Sequence, residues 1–118
     1  MPNTKELNKI IKLIPKLMQD KKAKDINILD VRDLTSLTDY FILCTSESTP
    51  QTKAIMGHIY KKLRELGWRP NNLEDTKTLE WVAMDYFNII IHIFNEETRN
   101  YYQFERLWGD AKIEKIDA

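Results

Sequence analysis

Apolar residues recur along this chain with two different periods, and each change of period marks an element. Leu7, Ile10, Ile11, Ile14, Leu17 and Met18 follow three-and-four spacing and predict an amphipathic first helix, with Asn3 and Glu6 as a capping-box-like start. Pro15 lies inside it, lacks an amide proton and crowds the carbonyl of Ile11, so a kink or a break into two short helices is expected. After the solvated connection 20–25, residues 26–31 read as a strand and 40–44 as a second, more fully buried one, with turn chemistry over 32–39. Ser48-Thr49-Pro50 starts a second helix, with a hydroxyl at the cap and proline at the first helical position. Ile55, Ile59, Leu63 and Leu66 form its apolar stripe, and Gly67 ends it as a left-handed cap.

A loop from Trp68 to Thr78, with room for a short strand, leads to the clearest pattern in the chain. Residues 80–86 and 89–94, separated only by Phe87-Asn88, read as one hairpin that pairs Tyr86 with Ile89 and Trp81 with Phe94. Alternation places Val82, Met84, Tyr86, Ile89, Ile91 and Ile93 on a core face. Trp81, Ala83, Asp85, Ile90, His92 and Phe94 fall on the other, whose mixture of rings, carboxylate and imidazole suits a covered or docking surface better than a solvated one. Asn95-Glu96-Glu97 then caps a last helix that runs through Tyr101, Tyr102, Phe104, Leu107 and Trp108 and closes at Gly109. The order helix, strand, strand, helix, loop or strand, hairpin, helix predicts an α/β or α+β fold, a mixed β-sheet flanked by helices in a single domain over 1–118.

Composition adds exclusions. Eighteen Lys and Arg balance eighteen Asp and Glu, so the long-range field that draws a protein onto nucleic acid is missing at the level of the whole chain. The lone Cys44 suits a reducing compartment. Without a signal-like start or a bilayer-length apolar run, the expected location is the cytoplasm, away from membranes.

Candidate chemistry is sparse. Cys44, His92 and Asp85 can be drawn as nucleophile, base and orienting acid, but a thiol inside an apolar strand is usually an inert small hydrophobe. Asp85 and His92, diagonal neighbours on one hairpin face, suit either a pair that orients the imidazole or, equally, the simple structural satisfaction of a half-buried histidine. Asp30, Asp39 and Asp85 at strand ends suggest magnesium-dependent nucleotidyl transfer, yet Thr45-Ser46-Glu47-Ser48 has no glycine and puts a carboxylate where a phosphate would sit. With His58 and His92 the only histidines and no cysteine pair, no catalytic residue, metal or cofactor is assigned. Trp81, Tyr101, Tyr102, Phe104 and Trp108, with Arg99 and Arg106 among them, exceed what a short tail needs for packing. Roughly half are expected to lock the last helix onto the sheet and the rest to form a docking patch.

The motifs Lys22-Ala23-x-Asp25-Ile26, Leu29-Asp30-Val31-Arg32, Ser36-Leu37-Thr38-Asp39-Tyr40-Phe41, Trp81-x-x-x-Asp85-Tyr86, His92-x-Phe94, Arg99-x-x-Tyr102 and Glu105-Arg106-Leu107-Trp108-Gly109-Asp110 together resemble the Iojap family, the ribosomal silencing factors. The resemblance implies a nucleotidyltransferase-like fold without the catalytic motif and a non-enzymatic translation repressor. It would bind the large ribosomal subunit through a ribosomal protein at the intersubunit face and block joining of the small subunit, with ribosomal RNA at most peripheral and a homodimer when free. Carried over by motif, the recognition region is Trp81, Asp85, Tyr86, His92, Phe94, Arg99, Tyr102, Leu107 and Trp108, with Tyr86 supporting from the core face. Ser46 and Pro50 stand where relatives often have Gly and Arg, and Asn72 and Asp75 where they often have Gly, a change that left-handed-tolerant Asn and Asp survive.

Overall fold

The computed structural model describes residues 4–116. Its elements are α1 (Thr4–Asp20), β1 (Lys24–Asp30), β2 (Tyr40–Ser46), α2 (Thr49–Glu65), β3 (Asn72–Glu74), β4 (Trp81–Asp85), β5 (Ile89–Asn95), α3 (Glu96–Tyr102), α4 (Phe104–Leu107) and β6 (Lys112–Ile116). The six strands form one mixed sheet in the order β3-β4-β5-β2-β1-β6. Only the central β2–β5 pair is parallel.

Both faces of the centre are covered, which is why β2 and β5 read as near-continuous apolar runs, interrupted in β5 only by His92 before Asn95. On one face Ile10, Ile14 and Met18 of α1 and Ile55, Ile59 and Leu63 of α2 share a core with Ile42, Cys44, Val82, Met84, Ile91 and Ile93. On the other, Phe104 joins Leu29, Val31, Phe41, Leu43, Ile90 and Phe94, with Trp81 and Trp108 packed against them. The hairpin face left open between covered and docking is therefore largely covered. The hairpin register is the expected one, Trp81 opposite Phe94 through Asp85 opposite Ile90. Tyr86 N–H closes it on the Ile89 carbonyl at 2.8 Å.

Several local expectations change. α1 is one helix rather than two, with Pro15 buried inside it. Proline removes a single hydrogen bond, whereas the apolar stripe docks on the sheet on both sides of the defect and holds it closed. Pro50 is the second helical residue, not the first; Ser48 accepts from Gln51 N–H as the cap, and Gly67 follows the helix at φ +87°. Of the proposed capping box, Asn3 lies outside the described residues, while Glu6 accepts from Trp68 Nε1 at 3.2 Å. The last helix splits at Gln103, whose φ of 48° is left-handed. Of the two positions where Asn or Asp replaces a frequent glycine, Asp75 does adopt φ 56°, whereas Asn72 is extended in β3.

The apolar pattern does not predict the sixth strand. β6 places only Ile113 and Ile116 among Lys and Glu, three residues apart, and is mostly exposed, so it has neither an apolar run nor strand-like alternation; it forms because β1 offers it an antiparallel edge, Leu29 opposite Ile113.

Candidate functional site

The layer formed by α3 and α4 is placed by two devices. Asn95 caps α3, its Oδ1 accepting from Thr98 N–H at 2.7 Å, with Glu96 and Glu97 in the first turn complementing the helix dipole. One turn on, the buried Arg99 donates from Nη1 to the Asp25 carbonyl (2.6 Å) and Thr45 Oγ1 (2.8 Å), and from Nη2 to Glu105 Oε2 (2.5 Å). Asn27 Nδ2 completes the carboxylate at 2.9 Å. One guanidinium thus ties α3 and α4 to β1 and β2. Burial pushes the Glu105 carboxyl up, but the hydrogen bond and charge of Arg99 outweigh it and hold the group below its ordinary range.

Above this clip lies an aromatic cluster. His92 is surrounded by Phe104, Phe41, Trp81 and Phe94, with ring centroids 4.5, 5.3, 5.8 and 5.8 Å away. Trp81 Nε1 donates to His92 Nδ1 at 2.9 Å, which fixes the proton of the neutral ring on Nε2, an atom with no hydrogen-bond partner among the described residues. Asp85 does not orient the imidazole; its Oδ1 accepts from Phe87 N–H at 2.8 Å and caps the turn instead.

Burial depresses His92 to about 3. Below the ordinary value of 6.5 the unfolded chain binds a proton that the folded one refuses until about 3, so stability falls as pH drops through that window. By pH ~5 the loss is about 2 kcal/mol relative to neutral pH. Urea unfolding at the two pH values, with His92→Gln as reference, reads it: the variant should lack this part of the pH dependence, and equal dependence in both proteins would contradict it.

Trp81 is half-buried, stacked on Phe94 at 4.9 Å and touching Tyr102 at 5.0 Å. It joins the buried cluster to a ridge on α3 and α4 where Tyr101 is 79% exposed, Tyr102 49% and Leu107 74%. Trp108 is half-buried at the end of the ridge, and Arg106 is exposed within it.

The sequence-derived recognition residues therefore fall into two sets. Trp81, Tyr102, Leu107 and Trp108 meet solvent, with Asp85 half-buried at the hairpin turn. His92, Phe94 and Arg99 are buried beneath them, and Tyr86 is buried on the opposite face of the sheet. Glu105 and Thr45 hold Arg99 directly and Asn27 holds Glu105, and nothing in their spacing announces the clip, since the three come from separate elements.

The catalytic constellations do not assemble. Cys44 packs on the α1–α2 face, opposite His92, and burial pushes its thiol up to about 12. Asp30 is engaged by Arg32 at 2.7 Å, Asp39 by Asn88 Nδ2 at 3.0 Å and Asp85 by its own turn, so each carboxylate has a separate local partner. Among the described residues no group of three or more His, Cys, Asp or Glu is arranged to hold a metal ion, and no helix is long and apolar enough to cross a membrane.

Comparison with known proteins gives consistent similarities. A family model described as "Ribosomal silencing factor during starvation" matches residues 4–118. The chain is 33% identical over 108 residues to Ribosomal silencing factor RsfS of Bacillus subtilis, covering 92% of each chain. It is 36% identical over 107 residues to the protein of that name from Chromobacterium violaceum, covering 91% of this chain and 88% of the other. A crystal structure of a Chromobacterium violaceum protein superimposes with a TM-score of 0.85 at 34% identity, covering 96% of this chain and 94% of that one.

Proposed function

Given that the chain belongs to the family of ribosomal silencing factors, we propose that it represses translation without catalysis, by occupying the joining face of the large ribosomal subunit and excluding the small one. The observation that supports this reading is the exposed ridge of Tyr101, Tyr102 and Leu107, continuous with the half-buried Trp81 and Trp108. These are residue types that dominate protein interfaces, presented on a backbone that the Arg99 clip holds rigid. The partner is a ribosomal protein: a ring-rich surface whose exposed charges, Glu96, Glu97, Arg106 and Asp110, are of mixed sign gains affinity by burying apolar area. Steric exclusion requires no reactive group, in keeping with the separate engagement of Asp30, Asp39 and Asp85.

The double variant Tyr102→Ala/Leu107→Ala tests it, because both side chains are exposed and their removal leaves the core intact. The wild type should sediment with isolated large subunits and lower the yield of joined particles. The variant should bind about 30-fold more weakly, the equivalent of about 2 kcal/mol for one hot-spot cluster. Undiminished binding by a folded variant would remove the ridge from the interface. Absence of the wild type from the large-subunit peak would remove the function.

A further inference from the structure

The net charge of zero conceals a segregation that only the fold reveals. Lys5, Lys9, Lys12 and Lys16 recur at intervals of four, three and four, all exposed on one stripe of α1. The stripe rises about 16 Å from end to end. None of the four takes part in an ion pair among the described residues, whereas Lys24, Arg32, Lys62 and Arg99 each have a carboxylate partner. α2 lies alongside, linked through His58 Nε2 and Asp20 Oδ2 at 2.9 Å, and adds the exposed Lys53, Lys61 and Arg64. Together the two helices hold eight Lys and Arg against three Asp and Glu, an excess of five that the rest of the chain balances with the opposite sign.

Like charges three and four residues apart repel and cost an isolated helix a few tenths of a kcal/mol per pair. The two carboxylates of α1, Glu6 and Asp20, offset part of that repulsion and leave the helix an excess of two positive charges, which an external polyanion would neutralise. From this we infer that the lysine stripe of α1 docks on the phosphodiester backbone of RNA, as a second contact on the sheet face opposite the aromatic ridge. The inference rests on the ribosomal reading above for the source of that RNA. Because α1 packs on one face of the sheet and α3–α4 on the other, both contacts can be made by one molecule at once.

The chemistry favours phosphate over carboxylate. α1 has four lysines and no arginine, that is, four mobile point charges with no fork for a bidentate carboxylate, the arrangement that positions a backbone without reading bases. A duplex carries one charge per about 1.7 Å of axis, so a stripe of about 16 Å faces several phosphates in any register. An acidic amphipathic peptide would instead use the apolar groove of about 520 Å³ between Ile10, Leu13, Leu66 and Trp68; Lys9, Lys12 and Lys16 border that groove, but its lining also holds the Glu6 carboxylate, and Lys5 lies outside it.

The experiment is fluorescence anisotropy of the full chain with a labelled RNA duplex of about 16 base pairs, between about 50 and about 200 mM salt. Each neutralised phosphate contributes a slope of about 0.9 to the fall of log affinity with log salt, so a total of about three to four is expected. The quadruple Lys→Gln variant at Lys5, Lys9, Lys12 and Lys16, its fold checked by circular dichroism, should lose that slope and at least about tenfold in affinity at the lowest salt. The quadruple Lys→Arg variant should keep both. No duplex binding at the lowest salt, equal binding by the Gln variant, or binding to an acidic amphipathic peptide in preference to RNA would each overturn the inference. Wild-type protein that binds the duplex but does not sediment with large subunits would overturn the ribosomal reading and leave the RNA contact standing. Protein that sediments with the subunit but ignores the duplex would do the reverse.

Discussion

Arg99→Ala should destabilise the fold by about 3–5 kcal/mol, the cost of removing one partner from a buried ion pair. The substitution strands more than a charge. Glu105 keeps its part-buried carboxylate with only Asn27 beside it, and both the Asp25 carbonyl and Thr45 Oγ1 lose their donor. Urea unfolding should show a lowered midpoint, and Arg99→Lys should recover only part of it, because one ammonium cannot span Asp25, Thr45 and Glu105 at once. A midpoint within about 0.5 kcal/mol of wild type would mean that α3 and α4 are held by the aromatic packing alone. The same geometry makes Arg99 a poor probe of ribosome binding: its loss disturbs the platform on which Tyr102 and Leu107 stand, so weaker association would follow whether or not Arg99 touched a partner.

Phe94→Ala should cost a comparable amount, about 3–5 kcal/mol. Phe94 is fully buried at the centre of the sheet, stacked under Trp81 at 4.9 Å and 5.9 Å from Phe104. Truncation opens a cavity between the sheet and Phe104 of α4, and it takes the floor from beneath Trp81. Loss of Trp81 packing should appear as a change in near-ultraviolet circular dichroism while the far-ultraviolet spectrum is retained. If stability fell and the near-ultraviolet spectrum did not change, Trp81 would be held by His92 and Tyr102 without Phe94.

The hairpin was legible residue by residue, because a two-residue loop and strict alternation leave one register that puts Val82, Met84, Ile91 and Ile93 inside. The caps were legible for the same local reason: Ser48, Gly67 and Asn95 act on atoms within a few positions of themselves. Pro15 shows the limit of a local rule. Its lost hydrogen bond is local, but the packing of Ile10, Ile14 and Met18 that keeps α1 whole comes from the sheet. β6 shows the converse, a segment with little strand signal of its own that forms because β1 has a free edge.

For the candidate site, the sequence by itself determined the inventory: the rings, their order and their relation to a family. Tertiary structure alone decided their division of labour. Whether a ring is core or contact depends on what covers it, and His92, Phe94 and Arg99 are covered by Phe104 and Glu105, which lie beyond the left-handed turn at Gln103. The same holds for charge. The sequence determined a sum of zero, and only the packing of α1 and α2 on one face and α3 and α4 on the other turned that sum into two unlike surfaces, because an electric field depends on where charges lie and not on how many there are.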